Sequence, residues 1–149
     1  MNKIFIIFSF LSCIGFSQET QKEDIWLYDL ELAKQEAKIG KKSILLYFSG
    51  SDWCAPCKML KEDFFDHKKF KNYKNSFVPL FIDIPRNKDL LTDKQKKHNN
   101  ELLNKYNKNK SFPLLIVLSP KGKILDKISG YSSLRDPKFH FELLDKFSK

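Results

Sequence analysis

Apolar positions at Ile25, Leu27, Leu30, Leu32, Ala33 and Ala37 recur at helical spacing, with Asp24 as a candidate N-cap and Gly40 as a candidate stop. The pattern then changes. Ser43 to Ser49 is a short apolar run bounded by polar residues, the signature of a buried strand. Lys58 to Phe65 returns to helical spacing, with Met59, Leu60 and Phe64 on one face. A short helical piece at Lys68 to Tyr73 precedes a second apolar strand, Phe77 to Ile84, with Pro79 near its entry. Pro85 to Asp93 reads as a polar connection, and Thr92 as the cap of a helix through Asn99, Leu102, Leu103 and Tyr106. Phe112-Pro113 opens a third strand, Leu114 to Leu118. A Ser-Pro-Lys-Gly turn at 119–122 folds it back onto a fourth strand, Lys123 to Ser129. Asp136 caps a closing helix with Pro137 at its first position and Phe139, Leu143, Leu144 and Phe147 on its apolar face.

The order α-β-α-β-α-β-β-α predicts an α/β fold. Its first two strands, joined through a helix, should be parallel and its last two antiparallel, giving a central mixed β-sheet flanked by helices on both faces. No repeat or second domain is visible. The domain is expected to span 18–149. Ahead of it, Lys3 and the apolar run from Ile4 to Phe16 are too short to cross a bilayer comfortably. With Gly15-Phe16-Ser17 they resemble a signal peptide over residues 1–17, cleaved before Gln18. The alternative is lipidation at Cys13, although Phe10-Leu11-Ser12-Cys13 is a poor lipobox. Either way the domain is expected outside the cytoplasm, periplasmic or secreted, where disulfides persist.

Composition changes this picture little. With 149 residues, 42% hydrophobic, and fourteen Phe, the chain has material for a core without a disulfide scaffold. The net charge of +9 raises the question of nucleic acid. The basic residues are nearly all Lys, however, with only Arg86 and Arg135 suited to bidentate phosphate or base contacts, and stretches such as Asn104 to Lys110 read as a solvated surface. No nucleic-acid partner is expected, and a monomer is.

Two of only three cysteines lie in Ser51-Asp52-Trp53-Cys54-Ala55-Pro56-Cys57-Lys58. Zinc needs about four ligands; there is no second cysteine pair, and His67, His98 and His140 are isolated. As a structural cross-link so short a loop constrains little chain entropy. A redox pair fits the placement. Cys54 falls at a strand-to-helix junction, where free backbone N–H groups favour a thiolate, and Cys57 falls one turn on. Cys54 is thus expected to be the exposed thiol of depressed pKa.

Here the chain resembles the thioredoxin superfamily, in particular the secreted thioredoxin-like proteins of bacteria. Trp53-Cys54-Ala55-Pro56-Cys57-Lys58 carries the resemblance, with Ile82 to Lys88, Asn99 to Asn107, Phe112 to Leu125 and Gly130-Tyr131. It implies a thioredoxin fold and thiol–disulfide exchange without cofactor or metal, with Cys54 attacking and Cys57 resolving. Trp53, Pro56, Phe112 and Pro113 would border the client groove, with Phe112-Pro113 as a cis peptide facing the cysteines. Trp53 has packing as its plain alternative role. The family's buried Asp before the motif is missing; Leu45-Leu46-Tyr47-Phe48 stands there, leaving water or the Tyr47 hydroxyl to receive the Cys57 proton. The expected activity is an extracytoplasmic oxidoreductase that reduces or isomerises disulfides of client proteins and is recycled by a separate redox partner. The alternative is a non-catalytic module holding clients or Cu(I) through its two thiols.

Overall fold

A computed structural model describes residues 25–148. The leader at 1–17, Cys13 and the Asp24 cap lie outside that range. The elements are α1 (Leu30–Gly40), β1 (Ser43–Ser49), α2 (Ala55–Leu60), β2 (Phe77–Asp83), α3 (Asp93–Tyr106), β3 (Leu114–Leu118), β4 (Ile124–Ser129) and α4 (Lys138–Asp145). The sheet order is β2-β1-β3-β4. β1 runs parallel to β2 and antiparallel to β3, and β3 and β4 form an antiparallel hairpin with a register irregularity at Val117/Leu118.

The position of β1 between β2 and β3 explains its unbroken apolar run, since both faces are covered. On one face Ile44, Leu46 and Phe48 meet Leu30 and Ala33 of α1 and Leu103 of α3. On the other, Leu45 and Tyr47 meet Leu60 and Phe64 and the Phe141 and Leu144 pair of α4. The mixed sheet with helices on both faces is therefore as expected.

Some boundaries move. The first helix starts at Leu30, not near Ile25, because Asp29 accepts the Leu32 N–H at 2.9 Å and acts as the cap. Its buried positions are Leu30, Ala33 and Ala37, and Leu32 is 44% exposed. Residues 25–28 are extended instead. Leu27 forms a parallel bridge to Leu80: its N–H donates to the Pro79 carbonyl at 2.9 Å, and its carbonyl accepts the Phe81 N–H at 2.8 Å. Trp26 joins an aromatic cluster with Tyr47, Phe65 and Phe81.

The helix of the cysteine motif begins at Ala55 and widens into a π-helical turn over Lys61–Phe65. A 3-10 turn at Lys68–Tyr73 follows, and another at Lys88–Leu90 lies within the polar connection. Thr92 caps α3 as predicted. In α4 the cap is Pro137 rather than Asp136, whose carboxylate accepts the Lys138 N–H at 2.9 Å. Phe139, expected on the apolar face, is 63% exposed, because the buried stripe of α4 runs through His140, Phe141, Leu143 and Leu144.

Candidate functional site at the end of the central strand

β1 ends at Ser49, and the chain turns at once. The Gly50 carbonyl accepts N–H groups from Trp53 and Cys54 at 3.2 and 2.8 Å. That turn delivers Cys54 as the N-cap of α2, with φ −87° and ψ 94° and Pro56 in the first turn. Cys54 and Cys57 form a disulfide. The Cys57 N–H donates to Cys54 Sγ at 3.3 Å, while the Cys54 carbonyl accepts from Cys57 and Lys58 at 3.1 and 3.2 Å. A sulfur at this position faces backbone donors that have no partner within the helix, which lowers the cost of negative charge.

Exposure does not separate the two cysteines as expected. In the disulfide form Cys54 is 3% and Cys57 2% exposed. What distinguishes Cys54 is its amide donor. Lys58 is exposed, in keeping with an ordinary solvated lysine.

Trp53 is held by three contacts. Its Nε1–H donates to the Ile84 carbonyl at 2.8 Å, its ring stands edge-on to Phe112 at 5.3 Å, and the Arg86 guanidinium lies 4.8 Å from the ring centroid. The Phe112-Pro113 bond is cis, and the Pro113 carbonyl accepts the Gly130 N–H at 2.8 Å. The structure thus brings the cysteine turn, Trp53 and Phe112 together, with Pro113 next in the chain. An open groove of about 420 Å³ runs beside them, lined by Trp53, Ile84, Arg86, Leu103, Lys110 and Phe112 among others.

Several supporting residues escape sequence reasoning. A Cβ on Gly50 would stand 2.2 Å from the Trp53 ring, so the close approach of indole to backbone requires glycine there. The Asp52 carboxylate accepts N–H groups from Arg86 at 3.0 Å and Asn87 at 2.8 Å, and these bonds hold its pKa below the usual carboxylate range. Ser51 bonds Asp83 through both its N–H and its hydroxyl. On the other flank Arg135 grips Asp63 and Glu62 of the π-helical turn, and the Tyr131 hydroxyl donates to Asp63 at 2.8 Å. The sequence signal for these was only local: a polar loop between strand and cysteines, and a Gly-Tyr pair after the hairpin.

Tyr47, the sequence candidate for receiving the Cys57 proton, is placed differently. Its hydroxyl donates to the Cys57 carbonyl at 3.3 Å, and burial pushes its pKa up to about 12. The phenol therefore keeps its own proton near neutral pH and points it at the Cys57 carbonyl.

A family model described as thioredoxin-like matches residues 25–120, and that stretch contains the sheet through β3, the cysteine turn and Phe112-Pro113. The chain belongs to the thioredoxin-like family. Within this family it is 30% identical over 97 residues to the disulfide bond reductase DsbH of Chlamydia pneumoniae, covering 64% of this chain and 57% of that protein. It is 24% identical over 110 residues to the thioredoxin-related protein DsbJ of the same organism, covering 73% of this chain and 31% of that one. The match thus spans about half, or less, of the length of these curated relatives. A solved DsbH oxidoreductase superposes with a TM-score of 0.67 at 26% identity, over 77% of this chain and 78% of that one. A poplar thioredoxin h superposes with a TM-score of 0.58 at 20% identity, over 83% of this chain and 96% of that one, a likeness of fold alone.

Proposed function

We propose that this protein is an extracytoplasmic thiol–disulfide oxidoreductase that reduces disulfides of client proteins and acts as a monomer. The observation that carries the reading is the hydrogen bond from the Cys57 N–H to Cys54 Sγ at the mouth of α2. It supports Cys54 as the sulfur that bears negative charge when the pair is reduced. Likeness to a protein named as a disulfide bond reductase supports the direction of electron flow. The leader-like pattern at 1–17 supports a periplasmic or secreted location.

In the proposed cycle the Cys54 thiolate attacks one sulfur of a client disulfide. A mixed disulfide forms and the other client sulfur leaves as thiolate. Cys57 then gives up its proton and attacks Cys54 Sγ, closing the Cys54–Cys57 bond and releasing the second client sulfur. Two electrons reach the client, and its two thiolates take their protons from solvent. Water takes the Cys57 proton, since the Tyr47 phenol is neutral near pH 7 and too weak a base to hold it. A dithiol reductant restores the pair.

The test is turnover of a disulfide-bonded model protein with excess dithiothreitol. The native protein should accelerate reduction, Cys54→Ser should abolish it, and Cys57→Ser should accumulate mixed disulfides at Cys54. Full multiple turnover by Cys57→Ser would overturn the resolving role. No acceleration by the native protein would overturn the activity.

A further inference from the structure

The groove beside the cysteine turn has eight lining residues, two of them cationic and none acidic. Each cation is positioned through its backbone. The Arg86 N–H is held by the Asp52 carboxylate, and its guanidinium lies over the Trp53 ring. Lys110 sits at φ +50°, a left-handed conformation unfavourable for a side chain-bearing residue. Its loop is fixed by Asn107, which is 3% exposed. The Asn107 carbonyl accepts the Lys110 N–H at 2.8 Å, its side-chain oxygen accepts the Ser111 N–H, and its amide donates to the Ser111 carbonyl. Two segments far apart in sequence are thus each locked so that a cation borders one groove. The groove's apolar wall is Trp53, Leu103 and Phe112, and Trp53 is covalently next to Cys54. Three carboxylates adjoin lining residues in sequence: Asp52 is committed to the backbone of Arg86 and Asn87, Asp83 accepts the N–H and hydroxyl of Ser51, and Glu101 is exposed on α3.

We propose that this groove binds an acidic segment adjoining the client's disulfide, with Arg86 and Lys110 receiving an Asp or Glu side chain and Trp53 and Phe112 an apolar neighbour. The inference rests on the oxidoreductase reading for its consequence, client choice, but the binding is separable from it. A cation already stacked on an aromatic face keeps its outward N–H donors for a carboxylate and loses little freedom on meeting one. The overall charge of +9 would attract any anion at long range. The claim concerns the additional preference created by these two side chains.

The experiment uses paired peptides, each with one disulfide flanked by Leu-Glu or by Leu-Gln. Reduction by the native protein at low salt should favour the Glu peptide by about three- to tenfold in kcat/KM, as expected for two partly exposed charge contacts. The preference should shrink at 0.5 M salt. Arg86→Gln and Lys110→Gln should each lower the Glu-to-Gln ratio, and together bring it near one. The charge-matched control Lys121→Gln with Lys123→Gln, in the hairpin turn at the opposite end of β3, should preserve it. Binding is read separately with peptides whose cysteines are replaced by serine, following NMR shifts of the Arg86 and Lys110 amides. Equal rates and equal binding for the two peptides, or equal loss of the ratio in the groove pair and the hairpin pair, would overturn the proposal. No reduction of either peptide with retained preference in binding would overturn the oxidoreductase reading and leave the groove assignment standing.

Discussion

Gly50 and Tyr47 show how single residues shape the site without reacting. Gly50→Ala places a methyl group where the indole of Trp53 lies. The ring must move, and with it the bond to Ile84 and the contact with Phe112. The expected outcome is a loss of about 1–3 kcal/mol in urea unfolding, the usual scale for overpacking, with a shifted tryptophan emission. Tyr47→Phe removes one buried hydrogen bond and should cost about 1 kcal/mol. Because the Tyr47 pKa lies near 12, the native phenol titrates far above pH 9. The pH profile of exchange between pH 6 and 9, measured by stopped flow, should therefore keep its shape in Tyr47→Phe; a shifted inflection would assign Tyr47 a part in proton transfer. At this scale the sequence was legible where chemistry is rare. Two cysteines three apart beside a tryptophan have few uses, and Pro113 opens an apolar strand. Asp52 and Arg86 were not legible, since they meet only through β1–β2 pairing, and Gly50 was not, since its role depends on how the ring of Trp53 is turned, which the Ile84 carbonyl fixes.

α4 carries a buried histidine whose titration should be visible in the stability of the whole domain. His140 is 4% exposed between the rings of Phe64 and Tyr131. Burial lowers its pKa to about 4, against a smaller opposing effect of the Gly130 backbone. In the unfolded chain it titrates near the usual value of about 6.5. As pH falls below that value the unfolded state takes the proton first. Stability contributed by the neutral ring is complete above pH 6.5, declines as pH drops towards 4, and levels off below. Between pH 7.5 and 4.5 the native protein should lose about 2 kcal/mol through this group. His140→Phe should flatten that interval, as compared by urea midpoints. Leu60→Ala, on the helix face that carries Cys57 inward, should cost about 2–5 kcal/mol. Element types were readable, because α3 buries one consistent stripe while β1 and β3, covered on both faces, stand out as short unbroken apolar runs. Starts were not. Leu27 and Leu30 satisfy a helical stripe equally well whether 25–28 is helix or strand, and only the Asp29 cap and the β2 edge decide.

At the scale of the whole molecule, the order β2-β1-β3-β4 places the cysteine turn and Phe112-Pro113 at one end of the sheet, since β1 ends where β3 begins. The hairpin turn, with its lysines, lies at the other. The β1–β2 and β3–β4 pairs followed from the sequence, whereas the meeting of Phe112-Pro113 with the cysteine turn was implied only by the family resemblance, and the outer edge of β2 was not read at all. There Leu27 occupies the peptide groups of Pro79 and Phe81, and Pro79 has no N–H to offer. A bare strand margin is a template on which another extended chain can grow. The short N-terminal segment acts as a selvedge, finishing the fabric on that side, while Lys123 and Lys127 guard the β4 margin with charge. Leu27→Pro, which deletes the donor to Pro79, should make self-association concentration-dependent in sedimentation velocity where the native chain stays at one size. For a protein proposed to exchange disulfides with client proteins, the finished margin has a housekeeping value: a client chain engaged at one end of the sheet would find no bare strand margin along this side on which to grow.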